Sequence, residues 1–493
     1  MPKTKSAYVA IDWKPDKNLK QPLHRQIIEF VVKKVSAGEW LIGDKLPSQR
    51  QLSVLFNVNR STVVEALSEL TSLEVIEAHY GNGTRIANNT WSLLVSSAPP
   101  NWGRYISSGS HGSNLPTIQE INKYEYIPGI LKISTGELGP GLLPSVLIEK
   151  SLENVIQAHP RMSYLEPLGL FELREALAVR FREMGMNVTP ANILIVSGSL
   201  QALHLISIGI LASNSTVFVE NLSYVRSLQI FQSAKIHVQE VFMDADGIIP
   251  TMIDSKISSG KPSLLYTIPT FHNPTGITMP EKRRHELIDW CKLNQLPIIE
   301  DNAYCELWID SPPPPPLKSF DENGMVLHLG TVSKSFSPGF RLGWIVAPEP
   351  VVSHLGDIKM QLDYGANTIA QWAFTNILAS GEYDAHLVDL RQRLGRQRDY
   401  MLALLEKNFS DIASWNHPRG GFYIWLKMKS NIPASKIFDL ALKQKILINP
   451  GGIYSNYDNQ CIRLSYAYCS PAEMKSALTR LATIIRKQSK LIK

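Results

Sequence analysis

Residues 331–344 have the sequence TVSKSFSPGFRLGW. Lys334 stands between two serines, and Arg341 follows seven positions later, after Pro338-Gly339. A lysine amine can condense with an aldehyde, and an arginine can hold a phosphate through two parallel hydrogen bonds. The spacing therefore predicts a lysine that forms a Schiff base with a phosphorylated aldehyde cofactor, together with an arginine that binds the phosphate.

Four other residues match the ring of such a cofactor, pyridoxal 5'-phosphate. Asp301 ends the apolar run 297–301, where a carboxylate can pair with the pyridine nitrogen. Tyr304, three residues later, can bond the phenolic oxygen of the ring, and Asn273 in the segment HNPTG can bond the same oxygen from another loop. Tyr224 is placed to stack on the ring face.

The phosphate needs free amides, and the amino end of a helix supplies them. The segment Ser-Gly-Ser-Leu-Gln at 197–201 follows a predicted strand and precedes an apolar helix. We therefore expect Ser199 and Leu200 to bind the phosphate through this loop. Thr331 and Arg341 supply further donors.

From about residue 130 the chain alternates short apolar runs with helical patterns. Each run is followed by polar residues or glycine, as in strands buried on both faces of a mostly parallel sheet. The chain is therefore predicted to be α/β, with predicted strands at 193–197, 216–220, 264–268, 297–301 and 326–330.

The order NPTG, Asp-x-x-Tyr, Ser-Lys and Pro-Gly-x-Arg-x-Gly-Trp resembles the class I, fold-type I aminotransferases over 129–493. The resemblance implies a large domain with a mostly parallel sheet and a smaller α/β C-terminal domain at roughly 380–493. It assigns the catalytic role to Lys334 and binding of an amino acid's α-carboxylate to Arg463. It also implies that Tyr164 reaches the phosphate of the partner subunit.

Residues 15–87 have a different pattern, with three amphipathic helices followed by two short strands around the segment YGNG. The landmarks Pro-Leu-x-x-Gln, Leu-Pro-Ser-x-Arg, Asn-Arg-Ser-Thr-Val and Gly-x-Gly-Thr resemble the winged helix of the GntR family. The third helix would place its first turn in the major groove, and the wing would approach the minor groove. The predicted DNA-binding residues are Lys45, Arg50, Arg60, Ser61, Thr62, Gly81 and Gly83.

Residues 88–128 are predicted to be a linker, because 19 of these 41 residues are Ser, Asn, Gly or Pro. Its tryptophans indicate that parts of it dock on the body. The formal net charge of +6 does not by itself identify a nucleic-acid partner. The four cysteines form no C-x-x-C pair, so we expect reduced thiols in the cytoplasm and no metal site. No apolar run is long enough for a membrane span.

A GntR-type winged helix joined to an aminotransferase-like body resembles the MocR subfamily of regulators. The resemblance implies a transcriptional regulator that depends on pyridoxal phosphate and binds an operator in double-stranded DNA. It also implies a head-to-tail homodimer. We expect the body to sense pyridoxal phosphate, or a small amine or amino acid, through an aldimine at Lys334.

Two alternatives remain open from the sequence. The chain could be an active aminotransferase that also binds DNA, because the set of catalytic residues is complete. It could also be a DNA-binding dimer with an inactive body, although the presence of Lys334, Asp301 and Asn273 counts against this. The sequence leaves the effector, the operator and the direction of regulation undetermined.

Overall fold

The computed structural model describes residues 8–36, 39–40, 43–73, 75–79, 83–87, 108–109, 111–158, 163–253 and 262–492. Contacts between Cα atoms divide the chain into two compact units, Met1–Gly109 and Ser110–Lys493. We call them the N-terminal unit and the body.

The N-terminal unit contains three helices and a β-hairpin: α1 (Leu23–Ser36), α2 (Gln49–Phe56), α3 (Arg60–Ser72), β1 (Ile76–His79) and β2 (Gly83–Ile86). Ser48 begins α2 with a capping box, in which its side chain accepts from the Gln51 amide and Gln51 bonds back to the Ser48 amide. Asn57 ends α2 in the left-handed conformation, with φ 54°. These local signals set the short turn between α2 and α3.

Apolar side chains from all three helices and the hairpin form one core in the N-terminal unit. Val63, Ala66 and Leu70 of α3 are fully buried in it. Trp13 stacks on Phe30, with 4.5 Å between the ring centroids. The predicted three-helix unit with a hairpin is therefore present, while the predicted DNA-binding residue Gly81 at its tip lies outside the described residues.

The body alternates helices and strands through most of its length. Its helices are α4 (Pro116–Tyr124), α5 (Ser145–Ala158), α6 (Phe171–Glu183), α7 (Ser199–Gly209), α8 (Ile230–Ser233), α9 (Glu281–Leu293), α10 (Glu349–Asp363), α11 (Thr368–Ala379), α12 (Glu382–Phe409), α13 (Ala434–Lys443) and α14 (Pro471–Ile492). Its strands are β3 (Leu131–Lys132), β4 (Ile193–Val196), β5 (Thr216–Glu220), β6 (His237–Val241), β7 (Met243–Asp244), β8 (Gly247–Ile248), β9 (Ser263–Thr267), β10 (Ile298–Asp301), β11 (Val326–Thr331), β12 (Gly343–Val346), β13 (Ala413–Trp415), β14 (Tyr423–Met428), β15 (Ile446–Leu447), β16 (Asn449–Pro450) and β17 (Cys461–Ser465).

Seven strands form the main sheet in the order β4-β12-β11-β10-β9-β5-β6. The pairs from β11 to β6 are parallel, and β12 runs antiparallel to both of its neighbours. All five predicted strands are in this sheet. The predicted α/β class with a mostly parallel sheet is confirmed.

Both faces of the main sheet are buried under helices. In β4, Leu194 packs with the α7 and α10 side chains, whereas Ile195 packs with those of α6 and α11 on the opposite face. Every residue of β4, β10, β11 and β12 is buried. This burial explains why the strand sequences are continuously apolar rather than alternating.

A second, four-stranded antiparallel sheet has the order β13-β14-β17-β16. The long helix α12 leads into it from the main sheet. β15 pairs in parallel with β3, so the first strand of the body joins the C-terminal part of the chain. We call this second sheet with its helices the small subdomain and the main sheet with its helices the large subdomain.

Helix α4 lies within the predicted linker, and it belongs to the body. Leu115 precedes it and Pro116 occupies its first turn, where the missing amide costs nothing. Ile118 and Ile121 are buried in the same apolar cluster as the small subdomain. Because the predicted linker is mostly polar, its sequence showed no sign of these two core contacts.

Within the described residues, no helix combines the length and the apolar character that crossing a membrane requires. The same part of the chain contains no group of three or more His, Cys, Asp or Glu side chains that could hold a metal ion.

Replacing Leu177 by alanine should lower the free energy of unfolding by about 2–5 kcal/mol, because Leu177 on α6 is fully buried against the main sheet. Val179→Ala on the same helix is the matched control, since that side chain is 46% exposed. Its effect should stay within about 0.5 kcal/mol. Urea unfolding followed by tryptophan fluorescence measures both, and equal effects would contradict the packing of α6.

Candidate functional site

A cavity of about 400 Å³ lies in the body and is lined by both subdomains. All the body residues predicted to bind cofactor or substrate line it except Tyr164. The predicted residues that line the cavity are Ser199, Leu200, Tyr224, Asn273, Asp301, Tyr304, Thr331, Lys334, Arg341 and Arg463.

The topology of the main sheet explains this convergence. β10 ends at Asp301 and β11 ends at Thr331, and the two strands are parallel neighbours. β4 is parallel to them through β12 and leads into α7. The carboxyl ends of these strands therefore meet at one edge of the sheet, which is where open α/β sheets bind ligands.

Asp301 is the buried anion of the cavity, with only 4% of its surface exposed. Its Oδ2 accepts a hydrogen bond from the Tyr266 hydroxyl at 2.8 Å. Its Oδ1 has no hydrogen-bond partner among the described residues. Burial raises the pKa of Asp301, and the bond from Tyr266 counteracts part of that rise. A cationic ring nitrogen in the cavity would satisfy the free oxygen.

Lys334 follows β11, and its side chain extends to the loop after β3. Its Nζ donates to the carbonyl oxygen of Gly136 at 2.5 Å. A side chain at Gly136 would clash, because an added Cβ would lie 2.4 Å from the Tyr423 hydroxyl. The amine is thus held at the wall of the cavity by a single neutral acceptor.

One end of the cavity is built for an anion. Gly198, Ser199 and Leu200 at the amino end of α7 line it, next to Thr331 and Arg341. Gly198 has φ +85°, and an added Cβ would lie 2.8 Å from Nη2 of Arg341. Nη2 of Arg341 donates to the Ser197 carbonyl at 3.1 Å. The guanidinium and the end of the α7 dipole form a cradle for an anion, and Thr331 lies beside it with its hydroxyl donating to the Leu342 carbonyl at 2.8 Å.

Arg463 of β17 is the buried cation on the side of the small subdomain. Nη1 donates to Oδ1 of Asn273 at 2.8 Å, and Nη2 donates to the Ser134 carbonyl at 2.8 Å. Its guanidinium carbon lies 4.2 Å from the centroid of the Tyr423 ring. Nε has no hydrogen-bond partner among the described residues. Arg463 and Asn273 thereby link the two subdomains.

Three tyrosines form the wall between the two charged ends. The hydroxyl of Tyr304 lies 2.9 Å from that of Tyr423. Burial raises the pKa of Tyr224 and of Tyr304, so both hydroxyls remain protonated at neutral pH. They can therefore donate hydrogen bonds to a ligand oxygen.

Sequence reasoning missed several lining or supporting side chains. Tyr423 stands in the segment GGFYIW at 420–425, whose paired glycines before an apolar run are a sequence signal. Tyr266 lies in the middle of an apolar run, where nothing distinguishes it from a core residue. Tyr454, Glu125 and Glu137 are among the other lining residues, and no sequence signal marked them.

Tyr164 lies outside the cavity. It is 79% exposed, and its ring centroid is 5.5 Å from that of Tyr364. An exposed tyrosine of this kind can serve a second subunit, which is the role that the aminotransferase resemblance implies.

The cavity fits pyridoxal phosphate in the charges of its lining. The lone Oδ1 of Asp301 matches a pyridinium nitrogen, the amino end of α7 with Arg341 matches a phosphate, and Lys334 lines the same cavity. These three groups come from three different strand ends, so their convergence is a property of the fold rather than of one motif.

The N-terminal unit presents a polar face at the start of α3. Arg60 and Ser61 are exposed, and Thr62 is half-buried. Nη2 of Arg60 donates to Oε1 of Gln49 at 3.3 Å, next to the exposed Arg50 on α2. The first turns of α2 and α3 thus share one basic surface, as the major-groove prediction requires.

Lys45 lies beside Gly83, which pairs with His79 at the turn end of the hairpin. Lys45 forms an antiparallel bridge to Arg85 of β2. Gly83 has φ +82°, and an added Cβ would lie 2.9 Å from Cε of Lys45. Arg85, which the sequence did not single out, donates to the Gly43 carbonyl at 2.6 Å. Two cations, Lys45 and Arg85, therefore lie beside a glycine that admits the lysine side chain.

Two family models match the chain. Residues 23–86 match the gntR family of bacterial regulatory proteins, and residues 129–481 match aminotransferase class I and II. The second match covers most of the chain and the cavity lining from Thr135 to Arg463.

Solved structures similar to the body are aminotransferases. The multiple substrate aminotransferase from Thermococcus profundus has a TM-score of 0.73 and 27% identity, covering 79% of this chain and 99% of that one. The kynurenine aminotransferase of Pyrococcus horikoshii has a TM-score of 0.74 and 27% identity, covering 79% and 98%. These neighbours are pyridoxal phosphate-dependent enzymes, which confirms the predicted class of cofactor.

Relatives over the full length are transcriptional regulators. The HTH-type transcriptional regulator YisV of Bacillus subtilis is 44% identical, over 96% of this chain and 98% of its own. NorG, an HTH-type transcriptional regulator of Staphylococcus aureus, is 34% identical over 90% and 100%. The chain therefore belongs to the GntR-type transcriptional regulators with an aminotransferase class I and II body, the architecture of the MocR subfamily.

Proposed function

We propose that this DNA-binding regulator senses an amino compound through pyridoxal phosphate held at Lys334. When bound, pyridoxal phosphate supplies an aldehyde that condenses reversibly with primary amines. The observation that carries the proposal is the convergence of Lys334, Asp301, Arg341 and Arg463 in one cavity, within a chain that also carries a winged helix.

Each of these residues has a distinct task in the proposal. Arg341, Thr331 and the amino end of α7 hold the phosphate. Asp301 offers its free oxygen to the ring nitrogen, and Tyr304 and Asn273 orient the phenolic oxygen. Lys334 supplies the amine that an effector amine displaces. Arg463 has a buried guanidinium for an effector carboxylate.

The effector would act through the two subdomains of the body. Lys334 and Asp301 belong to the large subdomain, whereas Arg463 belongs to the small one. A ligand that engages both favours the arrangement in which its contacts are complete, and it shifts the population toward that arrangement. The shift would change how two winged helices present themselves to paired half-sites on DNA.

We further propose a head-to-tail homodimer that acts in the cytoplasm. The exposed Tyr164, which does not line its own cavity, would then complete the phosphate site of the partner subunit. Dimerisation would also supply the two winged helices that a palindromic operator requires.

A second candidate is transamination. The amine of Lys334 lines the cavity with a complete set of cofactor-binding groups, so it could move a proton as well as bind the cofactor. Sustained transfer of an amino group to a 2-oxo acid, lost in Lys334→Ala, would favour this candidate. A single-turnover spectral change without release of a 2-oxo acid would favour sensing.

Lys334→Ala should abolish covalent retention of pyridoxal phosphate, because no other lysine amine lines the cavity in the described part of the chain. Borohydride reduction followed by peptide mass spectrometry should mark residue 334 in the natural protein and leave the variant unmarked. Lys282→Ala is the control, since that side chain is 90% exposed on α9. Equal labelling of the natural protein and Lys334→Ala would contradict the assignment.

Asp301→Asn should weaken pyridoxal phosphate binding by at least about tenfold, because it removes the charge that pairs with the ring nitrogen. It should also stabilise the cofactor-free protein at high pH. The folded pKa of Asp301 is raised, so its contribution to stability is present at low pH and is lost as the pH rises through that pKa.

Thermal unfolding of the cofactor-free proteins at several pH values tests the direction of this pH dependence of stability. Asp289→Asn on the exposed face of α9 should leave both affinity and pH dependence unchanged. A stability advantage of Asp301→Asn confined to low pH would refute the argument.

Arg60→Ala should cost about 1–3 kcal/mol in operator binding and relax sequence preference, because its exposed guanidinium can read a base edge. Lys45→Ala should instead weaken binding to all sequences and lower the salt slope by about 1. Arg25→Ala removes the same charge from α1 and should change neither. Gel-shift titrations at several salt concentrations distinguish these outcomes, and identical behaviour of the three variants would contradict the assigned face.

A further inference from the structure

Two carboxylates line the cavity in addition to Asp301. Glu125 directly follows α4, and Glu137 follows the glycine whose carbonyl accepts from Lys334. Oε1 of Glu125 accepts from the Thr135 hydroxyl at 3.2 Å. Both side chains are half-buried, and neither belongs to the groups that the cofactor requires.

The charged residues that line the cavity can be divided into those that the cofactor would engage and those that it would leave for a ligand. The cations are Lys334, Arg341 and Arg463, and the anions are Asp301, Glu125 and Glu137. With pyridoxal phosphate bound, Lys334 is engaged by the aldehyde, Arg341 by the phosphate and Asp301 by the ring nitrogen. Arg463 then remains for a ligand carboxylate, and the two glutamates remain for a ligand cation.

The charges around Glu137 favour a cation between the two glutamates. Burial raises the pKa of Glu137, and the nearby charge of Glu125 raises it further, while Lys334 and Lys132 lower it. Lys132 does not line the cavity; its ammonium donates to the Tyr468 hydroxyl at 3.3 Å and lies over that ring. Two neighbouring carboxylates beside a low-dielectric cavity attract a positive group strongly.

A second observation points to a ligand in the same cavity. Arg463 is only 5% exposed, and its Nε has no hydrogen-bond partner among the described residues. A buried guanidinium with a free donor implies a missing acceptor. A carboxylate can supply that acceptor, so the cavity has an unfilled place for an anion as well as one for a cation.

We propose that the effector is an α-amino acid with a second, cationic amino group on its side chain. Its carboxylate would bind Arg463, its α-amine would meet the cofactor beside Lys334, and its side-chain ammonium would lie between Glu125 and Glu137. The inference rests on the proposed sensing function and names the class of effector. The cavity volume of about 400 Å³ accommodates a cofactor ring and a short aliphatic chain.

The test compares amino acids that differ only at the end of the side chain. L-lysine and L-ornithine carry the cation, L-norleucine replaces the lysine ammonium by a methyl group, and L-2-aminoadipate carries an anion. Calorimetric titration of the full-length, pyridoxal phosphate-loaded protein measures each affinity. We expect at least about tenfold tighter binding of the better cationic ligand than of L-norleucine, which corresponds to about 1.4 kcal/mol.

The variants Glu137→Gln and Glu125→Gln keep the shape of the side chains and remove the charge. Each should weaken binding of the cationic ligand several-fold, and the double variant should bind it no more tightly than L-norleucine. Affinity for L-norleucine should not change. Glu120→Gln on the exposed face of α4 is the matched control and should keep the preference intact.

Three results would overturn the proposal. In the first, L-norleucine binds as tightly as the cationic ligands, so that sensing stands and only this class of effector fails. In the second, the preference survives in the double variant, or the substitutions alter the sedimentation of the dimer instead of ligand affinity. In the third, none of the four amino acids binds, and this class of effector fails; the proposed sensing function fails with it only if no primary amine changes the spectrum of the bound cofactor.

Discussion

The carboxylate of Asp301 is the constraint on which the body depends. It lies at the end of a fully buried strand, accepts one bond from Tyr266 and leaves its second oxygen without a partner among the described residues. A buried charge without compensation costs several kcal/mol. Asp301 lines the cavity, so a cationic group bound there would supply the missing partner. Tyr266 holds the carboxylate in position before any ligand arrives.

Much of this arrangement could be predicted from the sequence, because parallel strands convert order along the chain into proximity. Asp301 and Thr331 end neighbouring strands, so two motifs 30 residues apart meet at one edge. Arg341 was equally predictable, because it follows Pro338-Gly339 in the segment that carries Lys334. In the N-terminal unit, the capping box at Ser48 and the apolar spacing along α3 likewise encode the turn and the core locally.

What escaped prediction depends on tertiary contacts that leave no local pattern. Glu125 and Glu137 read as ordinary surface carboxylates, and only tertiary packing brings them to the cavity, in the case of Glu125 the packing of α4 against the small subdomain. Helix α4 itself could not be predicted, because only two buried isoleucines in a polar segment anchor it. Tyr266 was indistinguishable from a core residue for the opposite reason: its ring packs in the core, while its hydroxyl serves Asp301.

The pairing of Arg463 with Asn273 explains why the same cavity can suit a sensor. This 2.8 Å bond joins the small subdomain to a loop of the large one without any ligand. A ligand carboxylate that binds the free Nε of this guanidinium adds a contact to the small subdomain, so the contacts across the cavity differ between the free and the bound states. A ligand shifts a conformational equilibrium only by such a difference in contacts. An enzyme needs this difference to favour its transition state, whereas a regulator needs it only to separate two conformations. The same residues therefore satisfy the weaker requirement even where turnover is absent.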